Sequence, residues 1–488
     1  MRKAWVLGIQ RYSGGLLAGG LFAVANAVLV AQEKYFLPIL PLALGCVLLA
    51  LFSLDKLIYL ISFLTPLSIG FKDTGLGAAL SVPSEALLIM ASLVFVVKLF
   101  LEGSYPLRNL LHPVSVTLLL MMAWWLFTSI TSTMPLVSFK SLVARLWFVV
   151  PMYFLGLEVF RKPRAVHRFM AAHLAGLALV IGYTTYRHYL WNFEKDPAHW
   201  VMTPFYNDHT AYGMVLALTL PFVVHFALQY RMGLFFRLCT LGYLAVHLLA
   251  LRLSNSRAAW LSVVVALGVW ALVKLRVRWY VFSALAVAWA LMLWSFRVEI
   301  QQKLARNKEQ SSEQLEKQIR SITNISTDPS NLERFNRWKS ALRMFSDKPH
   351  LGFGPGTYQF QYAPYQSFLD LTIISTNAGN QGTAHSEYLL ALSEQGWPGM
   401  AFWLISIILT FYYGNKAYHN LASPYQKNLV LAMLIGLVTY WAHAFLNNFL
   451  DTDKAAVPYY ALTAILVSAH LNWTQSATSW TSGSRKPV

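Results

Sequence analysis

The sequence predicts an all-α polytopic membrane protein with about 12–14 transmembrane helices and one large loop outside the membrane. Three observations support this fold class. Only 12% of the 488 residues are charged and 56% are hydrophobic, whereas soluble globular proteins carry about 25% charged residues. Apolar runs of roughly 20 residues, long enough to cross a bilayer core as a helix, recur through most of the chain. The shorter segments of alternating polarity that build a membrane β-barrel do not occur in the sequence.

Lysine and arginine residues are concentrated in alternate short loops between the apolar runs, and this asymmetry predicts the orientation of the chain. They are Arg2, Lys3, Arg11, Arg161, Lys162, Arg164, Arg168, Arg231, Arg237, Lys274, Arg276, Arg278, Lys416, Lys427, Arg485 and Lys486. All of these residues fall on the cytoplasmic side if the N-terminus is cytoplasmic. Because this orientation accounts for most of the formal net charge of +18, we predict no nucleic-acid partner.

The apolar runs give approximate bounds for each predicted span. In chain order they are 14–31, 35–53, 57–70, 84–102, 113–130, 137–160, 166–188, 209–229, 234–252, 257–274, 279–296, 386–413, 427–447 and 455–472. The run at 57–70 is short and contains Pro66, so it is also compatible with a half-inserted or re-entrant segment. That run is the main reason for predicting a range of spans and not a single number.

These bounds divide the chain into four parts. Residues 1–296 hold the N-terminal transmembrane helices, 297–385 form a large periplasmic loop with helices, 386–472 hold the C-terminal transmembrane helices, and 473–488 are predicted to be a disordered cytoplasmic tail. Within the loop, "LERFNRWKSALRMFSDKPH" has apolar residues at helical spacing and predicts an amphipathic helix. The following "GFGPG" predicts a tight turn that returns the loop towards the membrane.

Two arginines are candidates for binding an anionic group. Arg257, in "RLSNSRAAWL", lies at the predicted outer edge of the membrane, where an arginine either anchors the interface or points a guanidinium at a phosphate. Arg334 lies in the amphipathic loop helix, and its basic neighbours are Arg337, Lys339 and Arg343. Such a face is either solvated or placed to receive an anionic lipid head group.

His385 lies where the loop ends and the next apolar helix begins, in "GTAHSEYLL". A lone histidine at this position is either a capping or surface residue, or a functional group. The positive end of a helix dipole disfavours an imidazolium, so the ring is expected to stay neutral and able to accept a proton. That property suits a general base. Glu387 and Glu394 are expected either to orient the ring or to oppose it.

Further polar residues occur at the predicted outer ends of the spans. In "PFYNDHTAYGM", Asp208 and His209 begin a span, so Asp208 either caps the helix or contacts substrate together with His209. The outer loop "LDTD" places Asp451 and Asp453 in an Asp-x-Asp arrangement that some metal-dependent glycosyltransferases share. Because this motif is short and unspecific, we predict neither a metal nor any other cofactor.

Taken together, the motifs resemble those of the O-antigen ligase and O-antigen polymerase superfamily of integral-membrane glycosyltransferases. "SRAAWL" resembles its Arg-x-x-x-Leu motif with Arg257 as the arginine. "ERFNRWKSALRMFSDKPHLGFGPGTY" resembles the block of its large loop, with Arg334 leading a Trp by four residues. "HSEYLLALSEQG" resembles its His-x10-Gly motif, which corresponds to His385 and Gly396. The resemblance covers roughly residues 200–448.

The resemblance implies a GT-C-like, metal-independent and inverting glycosyltransferase of the bacterial inner membrane, with its active site on the periplasmic side. Its donor is a glycan carried on undecaprenyl diphosphate, and its acceptor is lipid A–core or another glycan; membrane lipids surround it. His385 is the expected base, while Arg257 and Arg334 stabilise the diphosphate. The expected substrate-binding residues are Arg337, Asp208, His209, Glu387, Tyr388 and Gly396. The loop aromatics Tyr358, Phe360, Tyr362 and Tyr365 either pack under the loop or stack on sugar rings.

Three alternatives to an O-antigen ligase are considered. A polymerase uses the same donor, and a protein O-glycosylation ligase forms a third branch; the form of the His-x10-Gly segment favours the ligase. A lipid or sugar transporter is a different class, in which ionisable groups near the middle of the membrane are expected. Here Lys140 and Arg145 are the main charges within the predicted spans, and the other candidate residues collect at one face.

Overall fold

The computed structural model describes residues 19–34, 37–71, 80–103, 105–228, 233–277, 329–367, 375 and 382–473. The predicted span 279–296, the first part of the predicted loop and the predicted tail beyond Trp473 lie outside the described residues. The chain forms two compact units, Met1–Leu57 and Ile58–Val488. The described part is helical apart from one short hairpin, which confirms the all-α class.

The described part of the first unit consists of short apolar helices. Helix α1 spans Gly19–Ala31 and α2 spans Ile39–Phe52. Helix α2, with 14 residues, is shorter than the roughly 20 residues that a helix needs to cross a bilayer. Helix α3, Leu54–Leu64, begins at the end of this unit and continues into the second.

The predicted span at 57–70 is not a transmembrane helix. Helix α3 has 11 residues and gives way to a 3₁₀ turn at Thr65–Leu67. A hairpin follows, in which β1 (Ile69–Phe71) pairs antiparallel with β2 (Leu80–Val82). Pro66 has no backbone N–H to continue the helical hydrogen bonds, so the helix ends there.

The second unit contains most of the helices. They are α4 (Ser84–Glu102), α5 (Leu107–Leu110), α6 (Pro113–Ile130), α7 (Pro135–Val149), α8 (Gly156–Val159), α9 (Pro163–Tyr189), α10 (His209–Ala227), α11 (Leu234–Leu253), α12 (Arg257–Lys274), α13 (Pro329–Asp347), α14 (Tyr358–Gln361), α15 (Glu387–Asn420), α16 (Pro424–His443) and α17 (Asp453–Ser468). A π-helical segment, Val150–Leu155, joins α7 to α8, and another, Ala469–Trp473, follows α17. Single 3₁₀ turns lie at Pro197–His199 and Ala363–Tyr365.

Within the described residues, eight helices are long and apolar enough to cross a membrane. They are α4, α6, the continuous α7–α8, α9, α10, α11, α12 and α15, and their bounds agree with the predicted spans to within a few residues, except that α15 continues to Asn420, beyond the predicted end at 413. Helices α16 and α17 form the centre of the second unit. Their residues Leu429–Trp441 and Asp453–Ser468 are buried without interruption, as expected for helices that are apolar on all sides. Helix α16 packs against α10, α12, α15 and α17.

Helices α3 and α9 pack with unusually little space between their backbones. The hydroxyl of Ser62 donates to the carbonyl of Phe169 over 2.9 Å. Two turns further along α9, a Cβ added to Gly176 would lie 2.0 Å from the carbonyl oxygen of Phe63. Only a glycine at this position allows the two helices to approach so closely.

We therefore expect Gly176→Ala to destabilise the protein by about 1–3 kcal/mol, because the added methyl group overpacks the contact between α3 and α9. The measurement is the thermal unfolding midpoint of the detergent-purified protein. The matched control is Gly182→Ala in the same helix, where an added Cβ meets nothing within 4 Å. A midpoint for Gly176→Ala at or above that of Gly182→Ala would contradict the prediction.

Candidate active site

The N-terminal ends of α10 and α12 lie against each other. Gly213, one turn into α10, faces Ser256, and an added Cβ at Gly213 would lie 2.7 Å from the Ser256 Cβ. Ser256 caps α12 by accepting from the amide of Ala259 over 3.3 Å. This close approach brings Arg257, the first residue of α12, to the start of α10. Consistent with that placement, the charge of Arg257 acts on the ring of His209.

Asp208 caps α10, which confirms the capping interpretation of this residue. Its Oδ1 accepts from the amides of Thr210 over 2.7 Å and Ala211 over 2.8 Å. Its negative charge also acts on His385 and on His443, the last residue of α16. The carboxylate is therefore both a helix cap and a member of a cluster of histidines. Direct contact with substrate remains a prediction for Asp208 and for His209.

His385 immediately precedes the cap of α15. Its backbone has a positive φ of 49°, a left-handed conformation that is uncommon for any residue except glycine. The next residue, Ser386, caps α15 by accepting from the amide of Leu389 over 3.4 Å. The indole N–H of Trp338 in α13 donates to the His385 carbonyl over 3.2 Å. The loop helix α13 is thus attached directly to the residue that was predicted to be the base.

The pKa of His385 is lowered to about 4, which agrees with the predicted neutral ring but has a different main cause. Burial contributes most, because it disfavours the charged imidazolium. The positive charges of Arg334 and Arg337 lower the pKa further, and the negative charges of Asp208 and Glu333 act in the opposite direction. The ring is therefore neutral at physiological pH in the unliganded protein.

Arg334 links three parts of the site. Its charge acts on His385 before α15, on His209 at the start of α10 and on His443 at the end of α16. The charge of Arg257 also acts on His209. The three residues predicted to be catalytic, which are separated by long stretches of sequence, therefore belong to one neighbourhood at the ends of the helices.

Arg337 is buried and paired, so the basic face of the loop helix is not simply a solvated surface. Its Nε donates to the Glu333 carboxylate over 2.6 Å, and both side chains are almost completely buried. Its guanidinium lies over the ring of Tyr362 at 4.1 Å, a cation–π contact. Arg337 thereby fixes the conformation of α13 beside His385. Its predicted contact with substrate stays a prediction.

Glu387 and Tyr388 hold the chain that follows α16. The Glu387 carboxylate accepts from the hydroxyl of Tyr440 over 2.8 Å and from the amides of Phe449 over 2.8 Å and Leu450 over 2.9 Å. Tyr388 is buried, and its ring stacks on Phe445 with centroids 4.1 Å apart. These contacts give both residues a structural role, and substrate binding by them remains a prediction.

Arg145 belongs to the same arrangement. This residue of α7 is buried, and its guanidinium donates to the carbonyl of Leu450 over 2.7 Å. It also lies over the ring of Trp125 at 4.8 Å. This buried charge within a predicted span therefore supports a loop near the site.

Gly396 breaks α15. Its dihedral angles are φ 69° and ψ −172°, a combination that is essentially restricted to glycine. The break receives the turn that the sequence predicted at "GFGPG". The amide of Trp397 donates to the carbonyl of Pro349 over 2.9 Å, and the amide of Phe353 donates to the carbonyl of Ser393 over 3.1 Å. Two of the recognised motifs, the loop block and His-x10-Gly, are therefore in direct contact.

Two histidines of the cluster were missed from the sequence. His199 contacts His209 with 3.1 Å between their Nδ1 atoms, and their ring centroids are 4.3 Å apart. His443 lies against the backbone of Ala258, next to Arg257. His199 lies in "WNFEKDPAHW", outside the motifs that carry the resemblance. The available signal was its position on the same predicted side of the membrane as the other candidates.

The other candidates from the sequence are the loop aromatic residues and the acidic residues of "LDTD", and most of those that the structure describes make contacts within the protein. Tyr358 and Tyr362 are fully buried and stacked, with centroids 5.3 Å apart and an interplanar angle of 10°, which confirms that they pack under the loop. Phe360 keeps 40% of its surface exposed. The Asp453 carboxylate accepts from the hydroxyls of Ser68 and Ser84. Among the residues that the structure describes, no group of three or more His, Cys, Asp or Glu side chains is arranged to hold a metal.

Comparison with known proteins supports the resemblance seen in the motifs. Residues 242–404 match the family model described as O-antigen ligase. The matched segment is about a third of the chain and includes Arg257, Arg334 and His385. It runs from within α11 to beyond the break in α15, so the motifs and the family model agree on the same region. No curated protein matches the chain.

The docking of the turn on α15 leads to a prediction for Gly396→Ala. The added Cβ would lie 2.3 Å from the carbonyl oxygen of His350, and alanine rarely adopts these dihedral angles. We expect a loss of stability of about 1–3 kcal/mol and faster proteolysis at the turn, measured by melting and by limited chymotrypsin digestion in detergent, since the turn contains Phe353 and Tyr358. Gly268→Ala in α12, where an added Cβ has open space, is the control and should behave like the wild type. Equal melting and digestion of both variants would refute the proposed docking.

Proposed function

We propose that the protein is an O-antigen ligase-like glycosyltransferase that moves a glycan from undecaprenyl diphosphate to a hydroxyl group of lipid A–core, on the periplasmic face of the bacterial inner membrane. One observation carries the proposal. The charge of Arg334 acts on both His385 and His209, and the charge of Arg257 also acts on His209. In this proposal, the two arginines and the neutral histidine form one site. This combination suits transfer from a diphosphate leaving group.

The arginines suit the charge that develops in the reaction. As the bond between the anomeric carbon and the diphosphate breaks, negative charge accumulates on phosphate oxygens. Guanidinium groups bind such oxygens bidentately, and donors held in place beforehand stabilise the transition state most effectively. Helices α10, α12 and α15 also begin at this site, and the positive ends of their dipoles favour an anion there.

In the proposed reaction, His385 receives the proton. In the proposed step, the acceptor hydroxyl attacks the anomeric carbon from the side opposite the diphosphate. The new carbon–oxygen bond forms, the bond to the diphosphate breaks with inversion, and the hydroxyl proton passes to the His385 ring. The diphosphate leaves on its lipid carrier.

The base becomes stronger when donor binds. In the free enzyme the positive charges of Arg334 and Arg337 help to hold the pKa of His385 near 4. A bound diphosphate brings negative charges that offset those of the arginines, so the pKa of His385 rises in the complex. Proton acceptance is thereby coupled to occupation of the donor site.

The first test removes the three groups. Arg257→Ala, Arg334→Ala and His385→Ala should each lower glycan transfer by at least about 100-fold, since removing one preorganised transition-state donor costs roughly that much. Transfer is measured in membrane vesicles with purified donor and acceptor, and membrane insertion is checked by immunoblot. Lys416→Ala, which removes an exposed cation near the C-terminal end of α15, is the control. Three fully active variants would disprove the mechanism.

Deleting the gene separates the ligase from the polymerase. Loss of a ligase leaves long glycan chains on the lipid carrier and none on lipid A–core. Loss of a polymerase leaves single repeat units attached to the core. The second result would replace the proposed acceptor while keeping the donor chemistry.

The pH dependence of the rate provides a separate prediction. The profile of kcat/KM, which reports the free enzyme, should lose activity in acid only near pH 4, because His385 must be neutral to act as a base. The profile of kcat, which reports the donor complex, should lose activity at a higher pH. Arg334→Gln should move the acidic limb of the kcat/KM profile to higher pH, because it removes a positive charge that lowers the pKa of His385. If all three profiles lost activity at the same pH, near the ordinary pKa of histidine, the assignment of His385 as the base would be contradicted.

A further inference from the structure

We infer that Glu394 is a positioning residue, which holds the loop helix α13 so that Arg334 stays beside His385. The inference rests on the proposed function, and it assigns to Glu394 no contact with substrate. Glu394 is nine residues beyond His385 along α15, which corresponds to roughly 13 Å of helix. It therefore does not orient the histidine ring directly and must act through the loop.

Glu394 accepts three hydrogen bonds from the turn that docks on α15. Its Oε2 accepts from the amide of Gly356 and its Oε1 from the amide of Tyr358, both over 2.9 Å. Its backbone carbonyl accepts from the amide of Gly354 over 2.8 Å. The residue is 4% exposed, so water cannot replace these partners easily.

Tyr358 passes this constraint on to α13. Its hydroxyl donates to the carbonyl of Arg337 over 2.8 Å, and its ring belongs to a buried cluster with Ala341 and Met344 of the same helix. From α13, the indole of Trp338 reaches back to the carbonyl of His385. The contacts form a closed path: α15 holds the turn, the turn holds α13, and α13 holds the start of α15.

Arg334 depends on this path because of its position. It lies one helical turn before Trp338, so any rotation or shift of α13 moves its guanidinium relative to the His385 ring. A displacement of about 1 Å in a catalytic group can cost roughly 100-fold in rate. A loss of hydrogen bonds at Glu394 is therefore expected to appear as a loss of rate.

The turn also has a second support, which makes the inference testable without unfolding the protein. The carbonyl of Phe353 accepts from the amide and the hydroxyl of Thr133, over 3.0 Å and 2.9 Å, at the junction of α6 and α7. On α15 itself, the indole of Trp124 in α6 donates to the carbonyl of Gln395 over 3.0 Å and so holds the helix beside the turn. With these contacts in place, a substitution at Glu394 loosens the turn on one side only.

The test is a double-mutant cycle between Glu394→Gln and Arg334→Lys. Glutamine keeps the shape but has one carbonyl oxygen, so one turn amide faces an NH₂ group and loses its acceptor. We expect Glu394→Gln to lower kcat by roughly 10- to 100-fold in the wild-type background. In the Arg334→Lys background, where bidentate binding is already lost, it should lower kcat by less than about threefold, because Glu394 acts through Arg334.

Gly356→Ala is the second variant. Its φ of 76° and its contact with Ser141 make an added Cβ unfavourable, so it loosens the same turn from the loop side. It should show the same loss and the same dependence on Arg334. Glu102→Gln, which removes an exposed carboxylate paired with Lys98, is the matched control and should keep full activity and the wild-type melting temperature.

The outcomes are distinguishable. Equal losses from Glu394→Gln in both backgrounds, or no loss in either, would overturn the positioning role while leaving the proposed function intact. Full activity in Arg334→Lys and His385→Ala would instead overturn the proposed function. A loss of kcat from Glu394→Gln that appears only when Arg334 is intact, with unchanged membrane insertion, supports the inference.

Discussion

At the break in α15, backbone N–H and C=O groups lose the hydrogen-bond partners that an unbroken helix would provide, so other segments must supply them. In a continuous helix the amide of Trp397 would donate to the carbonyl of Ser393. Here it donates to Pro349, while Ser393 accepts from Phe353. Within a membrane protein such an exchange is tolerated only where other protein segments supply the partners. The docked turn supplies them, so the helix break and the position of the loop depend on each other.

This mutual dependence has an electrostatic consequence at the other end of the loop. Helix α13 carries Arg334 and the buried pair of Arg337 and Glu333, and it is attached to His385 through Trp338. The positive charges of α13 therefore act on a histidine that burial already keeps neutral. A site of this kind favours an anionic ligand over a protonated base. In the proposed transfer, an anionic donor would offset these positive charges and strengthen the base, which would couple the two substrates.

The polar residues near the site divide between support and candidate chemistry. Glu387, Tyr388 and Arg145 fix the chain after α16. Sequence position did not separate them from His385, because a glutamate or tyrosine at the start of a helix has the same appearance whether it faces a cavity or a neighbouring loop. Glu394 shows the same ambiguity: it is one polar residue on an apolar helix, and only its partners Gly356 and Tyr358 reveal its role.

The sequence alone determined the membrane class, most of the span bounds and the identities of Arg257, Arg334 and His385 as candidates. These features depend on local properties: apolar length, charge placement and short motifs with fixed spacing. It also identified Gly396 as the glycine of a motif, but it gave no structural reason for a glycine at that position. Tertiary structure decided that His199 and His443 join the cluster and that the glycine turn fits the break in α15. Each of these depends on contacts between residues far apart in the chain, and periodicity and composition carry no information about such contacts.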